Sequence, residues 1–250
     1  MLFSLLLAAA LGLTVGSFLN VVIARVPAGE SVVAPRSRCP SCGHQLGAAE
    51  NIPVVSWLAL RGRCRHCSAP ISAQYPLIEL LTAALYVAVV AIGWGDAARI
   101  ALGVILVTAL VPITVIDLRT RRIPNAITLP AAVALVVAGT ALDPGGQPGR
   151  LLAAAAVVAP FVLLALAFTR GMGMGDPKLM GVIALALGRA VIPAVFIAFL
   201  LGTVVGVALM VRHGARARKT ALPFGPFLAA GAVIGWLYGE QLIDWYLRQF

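Results

Sequence analysis

Residues 100–116 read IALGVILVTALVPITVI, a run of seventeen residues without a charge, and Asp117 follows the run directly. A helix needs about 20 mostly apolar residues to cross a bilayer, so this stretch predicts a membrane-spanning helix. Apolar runs of the same kind recur on both sides of it. They predict eight spans, at 2–24, 76–94, 100–116, 126–142, 151–168, 179–187, 191–211 and 223–238. The short sixth span could extend over 175–178 or borrow residues from the seventh.

The composition of the whole chain indicates the same class of protein. Of 250 residues, 61% are hydrophobic and 11% are charged, against about 25% charged in an ordinary soluble domain, and the mean hydropathy is +0.99. A soluble globule of this length lacks the interior volume for so many apolar side chains, and disordered chains are far more polar. We therefore expect an all-α polytopic membrane protein with about eight transmembrane helices and a small insertion at 25–75.

The positive charges indicate how the chain crosses the membrane. With the N-terminus outside, 15 of the 19 lysine and arginine residues fall in the loops 25–75, 117–125, 169–178 and 212–222. Cytoplasmic loops carry such an excess, so these four loops are predicted to be cytoplasmic. Membrane topology thus accounts for the net charge of +10. No lysine or arginine precedes the first apolar run, which is expected to be a retained helix rather than a signal peptide.

All four cysteines lie in the polar insertion, as Cys39-Pro-Ser-Cys42 and Cys64-Arg-His-Cys67 with 21 residues between the pairs. Two such pairs are typical of a zinc ribbon, in which four thiolates complete a tetrahedron around the ion. Two disulfides or free thiols are the alternatives, and a reducing cytoplasm disfavours the disulfides. Four protein ligands leave no open position for a substrate, so the predicted zinc is structural.

Two further properties of the insertion limit its function. A loop of about 50 residues with little apolar content cannot build its own core, so a metal would supply the missing stability. The loop is basic but offers only Trp57 and Tyr75 as aromatic stacking surfaces. Nucleic acid is therefore not an expected partner.

Two aspartates are predicted to lie at the same cytoplasmic boundary, Asp117 after the third span and Asp176 at the start of the sixth. Two facing carboxylates in a low-dielectric site share a proton, so that one polarises a carbonyl while the other takes a proton from water. Gly173 and Gly175 lack Cβ atoms and would let a substrate backbone approach Asp176. The alternative is that Asp176, which precedes Pro177, only caps a helix.

Eight motifs in order resemble the type IV prepilin leader peptidases, which are GxGD intramembrane aspartyl proteases. The motifs are Gly16-Ser-Phe-Leu-Asn20, Cys39-Pro-Ser-Cys42, Asn51-Ile-Pro-Val-Val-Ser-Trp57, Cys64-Arg-His-Cys67, Tyr75-Pro-Leu-Ile-Glu79, Asp117 with Ile123-Pro-Asn125, Gly173-Met-Gly-Asp176 with Lys178, and Pro223-Phe-Gly-Pro226. The resemblance covers residues from about 12 to 230. It departs from the family at Asn125, where aspartate is frequent, and at Pro177.

The resemblance implies an enzyme of the bacterial inner membrane that removes the basic leader of type IV prepilins or pseudopilins after a glycine. By motif match, Asp117 and Asp176 would be the catalytic pair. Active-site support would come from the surrounding motif residues Gly173, Gly175, Lys178, Pro124 and Asn125. The domain division would be a first helix at 1–24, a zinc-ribbon loop at 25–75 and a peptidase core at 76–250.

The cysteine ribbon belongs to the version of this family associated with methylation. The resemblance therefore implies that the new N-terminal amine is methylated with S-adenosylmethionine. Gly62 and Arg63 beside the second cysteine pair, and Glu79 where the ribbon rejoins the membrane, are the candidate residues for this step. A transporter with the two acids as a proton relay, and a membrane scaffold that displays the ribbon, are the alternative functions.

Overall fold

A computed structural model describes residues 1–167, 173–214 and 222–249. The chain divides into two compact units, Met1–Ile100 and Ala101–Phe250. Phe168, Arg170, Arg216, Arg218 and Lys219, which the predicted spans and cytoplasmic loops include, lie outside the described residues.

The first unit consists of two long helices with the cysteine-bearing segment between them. Its helices are α1 (Leu2–Arg25), the short α2 (Val55–Ala59) and α3 (Gln74–Ile92). The backbones of α1 and α3 touch at two glycines of α1. A Cβ atom on Gly12 would lie 2.5 Å from Ala83 Cα, and one on Gly16 would lie 2.7 Å from Glu79 Cα. Small residues at this spacing are what allow two membrane helices to pack so closely.

The second unit is a bundle of helices around a short central one. Its helices are α4 (Ala97–Thr120, beginning just before the unit boundary), α5 (Asn125–Leu142), α6 (Gln147–Ala167), α7 (Gly175–Leu187), α8 (Val191–His213) and α9 (Gly225–Leu247). In α7 every residue from Val182 to Leu187 is buried. Glycines again allow close packing, since a Cβ on Gly231 of α9 would lie 2.2 Å from the carbonyl oxygen of Ala194 in α8.

The structure confirms the predicted class of protein, an all-helical protein with helices long and apolar enough to cross a membrane. The described residues contain eight helices of 13 residues or more, in the predicted order. By length and composition six stretches qualify as membrane spans, with 175–212 counted as one stretch and α9 not among them. The number of eight spans, the outside N-terminus and the functional division of the chain therefore stay predictions.

Two helix boundaries differ from those predicted. The third long helix, α4, extends to Thr120, so Asp117 lies inside it rather than after it. The sixth begins at Gly175, which selects the extension over 175–178 that the sequence left open. Asp176 therefore lies within the first turn of α7. The capping residue of α7 is Met174, and the interpretation of Asp176 as an N-cap is wrong.

Candidate active site and metal centre

Asp117 is a buried acid on α4, with 4% of its surface exposed. Its Oδ2 atom accepts a hydrogen bond of 2.8 Å from the backbone N–H of Gly225, the first residue of α9. A Cβ on Gly225 would lie 2.8 Å from the same oxygen. Only glycine therefore fits here without displacing the carboxylate, and the bond fixes one of its two oxygens.

Asp176 is half-buried in the first turn of α7, and two contacts tie that turn to the chain that follows Asp117. A Cβ on Gly175 would lie 3.0 Å from Ile123 Cβ, which shows how closely the two segments approach. Lys178 Nζ donates a hydrogen bond of 3.0 Å to Asn125 Oδ1 at the start of α5. The end of α4 and the start of α7 therefore lie together.

The two predicted catalytic acids are thus brought to one end of the second unit, Asp117 in the last turn of α4 and Asp176 in the first turn of α7. Lys178 pairs with Asn125 and is exposed. Pro124 is the N-cap residue of α5 in extended conformation. Gly173 is exposed, and among the described residues a Cβ placed on it would come no closer than 4.0 Å to any neighbour.

The four cysteines converge in a cluster that could hold a metal ion, as expected from their spacing. Their Sγ atoms all lie within 4.8 Å of one another, and those of Cys39 and Cys67 are 3.8 Å apart. Zinc–sulfur bonds of about 2.3 Å in a tetrahedron place sulfur atoms about 3.8 Å apart. Backbone N–H groups of Cys42 and Ser41 lower the pKa of the Cys39 thiol to about 6, which favours the metal-binding thiolate there. At Cys67 the Ala69 N–H also lowers the pKa, but burial and the other three thiols outweigh it and raise the pKa to about 11. The four residues therefore fit zinc.

Both cysteine pairs adopt the same local fold. Cys39 N–H donates to the carbonyl of His44, and Cys64 N–H donates to that of Ala69, each at 2.9 Å. The residue after each second cysteine has a left-handed backbone, with φ of +72° at Gly43 and +58° at Ser68. The matching turns explain why the pairs converge on one point. His44 and His66 contact each other beside the cluster, with ring centroids 3.8 Å apart and ring planes tilted by 37°.

The three candidate methylation residues do not occupy one spot, but α2 connects two of them. A Cβ on Gly62, whose φ is +65°, would lie 2.8 Å from Trp57 Cζ2. Glu79 is 5% exposed, and its Oε2 accepts a hydrogen bond of 2.7 Å from the N–H of Val54, which caps α2. Arg63 is exposed. Gly62 and Glu79 therefore both contact α2, Glu79 at its N-cap residue Val54 and Gly62 at Trp57 in its middle.

Sequence reasoning missed the two backbone donors to the buried acids. The motif Pro223-Phe-Gly-Pro226 entered the prediction only as part of the family resemblance, and the donor within it, Gly225, was not foreseen. The available signal was the glycine itself, which stands directly before a proline in the first turn of α9. For Glu79 the signal was a carboxylate inside an apolar helix with no lysine or arginine on that helix.

Two family models together match most of the chain. The family described as Bacterial Peptidase A24 N-terminal domain matches residues 10–92, and the Type IV leader peptidase family matches residues 104–207.

Curated relatives from several bacteria carry the name prepilin leader peptidase/N-methyltransferase. The relative from Aeromonas hydrophila is 38% identical over 95% of this chain and 92% of its own length. That from Burkholderia pseudomallei strain 1026b is 40% identical over 92% of this chain and 84% of its own. The Bacillus subtilis relative is 35% identical over 95% of each chain. No solved structure matches the chain.

Proposed function

The chain belongs to the type IV leader peptidase family, and we propose that it is an aspartic endopeptidase that cleaves the leader from type IV prepilins or pseudopilins. The observation that carries this proposal is that the end of α4, which bears Asp117, and the start of α7, which bears Asp176, lie together at one end of the second unit. Family membership favours this function over the transporter and the scaffold. We further propose N-methylation of the new terminus, because the relatives are named for it.

In the proposed reaction the two carboxyl groups divide the work of an acid and a base. One carboxylate takes a proton from a water molecule, whose oxygen attacks the scissile carbonyl carbon. The other, protonated, donates a hydrogen bond to the carbonyl oxygen, and a proton then passes to the leaving amine. The Gly225 N–H occupies Oδ2 of Asp117, which leaves Oδ1 to face the water or the substrate.

The substrate fits a site at a membrane boundary. A prepilin has a basic leader followed by an apolar helix, so its helix can enter the bilayer while its leader stays in the cytoplasm. Gly173 and Gly175 carry no Cβ atom, which favours the approach of an extended backbone beside Asp176. We place the site at the cytoplasmic face of the inner membrane, the face to which the positive charges assign the loops at 117–125 and 169–178.

Zinc and S-adenosylmethionine would serve different functions in this enzyme. Zinc held by the four cysteines would stabilise the ribbon and take no part in cleavage, since its four protein ligands fill the tetrahedron. S-adenosylmethionine supplies a methyl group to an amine when bound. Gly62 and Arg63 stay candidates for residues near that step.

The test is cleavage of a prepilin by the purified protein in detergent, followed by mass spectrometry. We expect Asp117→Asn and Asp176→Asn each to lower the cleavage rate by about 10³-fold, because each removes one half of the acid–base pair. Asp244→Asn makes the same change at an exposed carboxylate of α9 and should cleave like wild type. Cleavage by either active-site variant at the wild-type rate would overturn the aspartic mechanism.

A mass increase of one methyl group that requires S-adenosylmethionine would establish the second activity. Wild-type protein that carries zinc and leaves several prepilins intact would contradict the proposed peptidase.

A further inference from the structure

Glu79 is a buried carboxylate of the first unit that the peptidase mechanism does not use. It lies on α3 against α1, where Gly16 offers no side chain to contact it. Its Oε2 atom accepts a hydrogen bond of 2.7 Å from the N–H of Val54. In the part of the chain that the structure describes, no ion pair involves Glu79. A buried carboxylate with one donor and no cation is costly, so a positively charged ligand would stabilise it.

The residue that donates this hydrogen bond, Val54, has a strained backbone conformation. Its φ is +61° and its ψ is −50°, a conformation that β-branched residues rarely adopt. In this conformation the Val54 N–H points at Glu79, and α2 begins at the next residue, Val55. Strained backbone of this kind clusters at ligand sites, where the surrounding structure holds it in place.

The surface beside Val54 is apolar, although it belongs to the polar insertion. Ile52, Val55 and Leu58 expose 47%, 59% and 62% of their surfaces. A ligand that combines a cation with an apolar chain would complement both the carboxylate and these side chains. The N-terminus of a processed pilin has that chemistry, since an α-ammonium group there begins an apolar helix.

We propose that Glu79 binds the α-ammonium group of the processed pilin and accepts its proton before methylation. The inference rests on the proposed function and assigns the methyl acceptor to the first unit. The proton moves from the ammonium nitrogen to a Glu79 oxygen, which frees the nitrogen lone pair. That pair forms a bond to the methyl carbon of S-adenosylmethionine as the carbon–sulfur bond breaks. The products are a methylated ammonium group and S-adenosylhomocysteine, and Glu79 returns its proton to solvent.

The test measures peptide binding by the full-length, zinc-loaded protein in detergent without a methyl donor. Two peptides carry the first residues of a mature pilin, about 20 in length to match one membrane span. One has a free α-amine, and the other is N-acetylated and cannot carry the charge. We expect wild type to bind the free-amine peptide more tightly by about tenfold or more, as for a hydrogen bond between charged groups.

Glu79→Gln should abolish this preference, because glutamine keeps an acceptor for Val54 N–H but has no charge. Glu30→Gln removes an exposed carboxylate from the same unit and should keep the preference. Thermal unfolding and zinc content would show that both variants are folded. If Glu79→Gln is unstable, Glu79→Asp keeps the charge on a shorter side chain and should bind both peptides with a reduced preference.

A preference that survives in Glu79→Gln would overturn the assignment, and so would a wild type that binds both peptides equally. Equal binding of the two peptides is measured on wild type alone, so it does not depend on the folding of any variant. Leader cleavage by the same preparation reports separately on the proposed function. Cleavage without amine preference would contradict only the role of Glu79, whereas amine preference without cleavage would contradict the peptidase.

Discussion

Gly225→Ala is the substitution that tests the active-site geometry most directly. The new Cβ would lie 2.8 Å from Asp117 Oδ2 and 3.2 Å from the Cβ and Cγ atoms of Asp117. The neighbours Ile113 and Ile116 are buried, so α4 cannot move away. The start of α9 must therefore shift, and the hydrogen bond from the residue 225 N–H to Asp117 lengthens or breaks.

The size of the effect follows from the bond that is lost. A hydrogen bond to a charged group contributes about 1.5–3 kcal/mol. At about 1.4 kcal/mol for each factor of ten, kcat/KM for prepilin cleavage should fall by roughly 10- to 150-fold. Because the bond orients the carboxylate rather than the substrate, the loss should appear mainly in kcat.

A matched control makes the same change where there is room. At Gly206 of α8 the nearest atom to a new Cβ among the described residues is 3.8 Å away, so Gly206→Ala should cleave like wild type. Thermal unfolding of both variants separates an active-site effect from a loss of folded protein. If Gly225→Ala retained kcat/KM within about twofold of wild type, or about 0.4 kcal/mol, the Gly225 contact would have no part in positioning Asp117.

Three predictions concern the ribbon. Gly62→Ala should destabilise it by about 1–2 kcal/mol, because alanine is disfavoured at φ of +65° and its Cβ would overlap Trp57; a lower thermal midpoint would show this, and an unchanged midpoint would contradict it. Ser68→Gly should stabilise the ribbon by about 1 kcal/mol, because Gly43 already occupies the equivalent left-handed position in the first cysteine pair; a lower midpoint would refute that reasoning. Removal of zinc with a chelator should unfold the ribbon and make its arginines accessible to trypsin, with helices outside 25–75 retaining their circular dichroism; continued resistance after complete metal loss would show that the metal does not stabilise it.

The features that depend on nearby residues were predictable from the sequence. The two cysteine pairs converge because each forms its own turn, and the spacing within each pair specifies that turn. The long helices follow from apolar runs whose length a bilayer dictates. Asn20 is a polar residue within the first apolar run, and its side-chain amide donates a hydrogen bond of 3.2 Å to the carbonyl of Tyr75 in α3.

The features that depend on distant residues were not predictable. The contact between Gly225 and Asp117 joins residues 108 positions apart, and no local pattern reports such a pair. The end of α4 was misplaced because a charge ends an apolar run but does not end a helix, whose backbone hydrogen bonds continue. Val54 adopts a backbone that its own side chain disfavours, so local propensity predicts the opposite of what tertiary packing imposes.

The length of α7 has a consequence for the lipid around the protein. A helix of 13 residues is about 20 Å long, whereas the hydrocarbon layer of a bilayer is about 30 Å thick. If the Gly188 end of α7 reaches the far headgroups, the Asp176 end stops about 10 Å short of the near ones. Water and substrate must then reach Asp176 through a recess below the headgroups, or the bilayer around α7 must become locally thinner. Because of this hydrophobic mismatch, the rate of peptide-bond hydrolysis should depend on the thickness of the membrane that holds the protein.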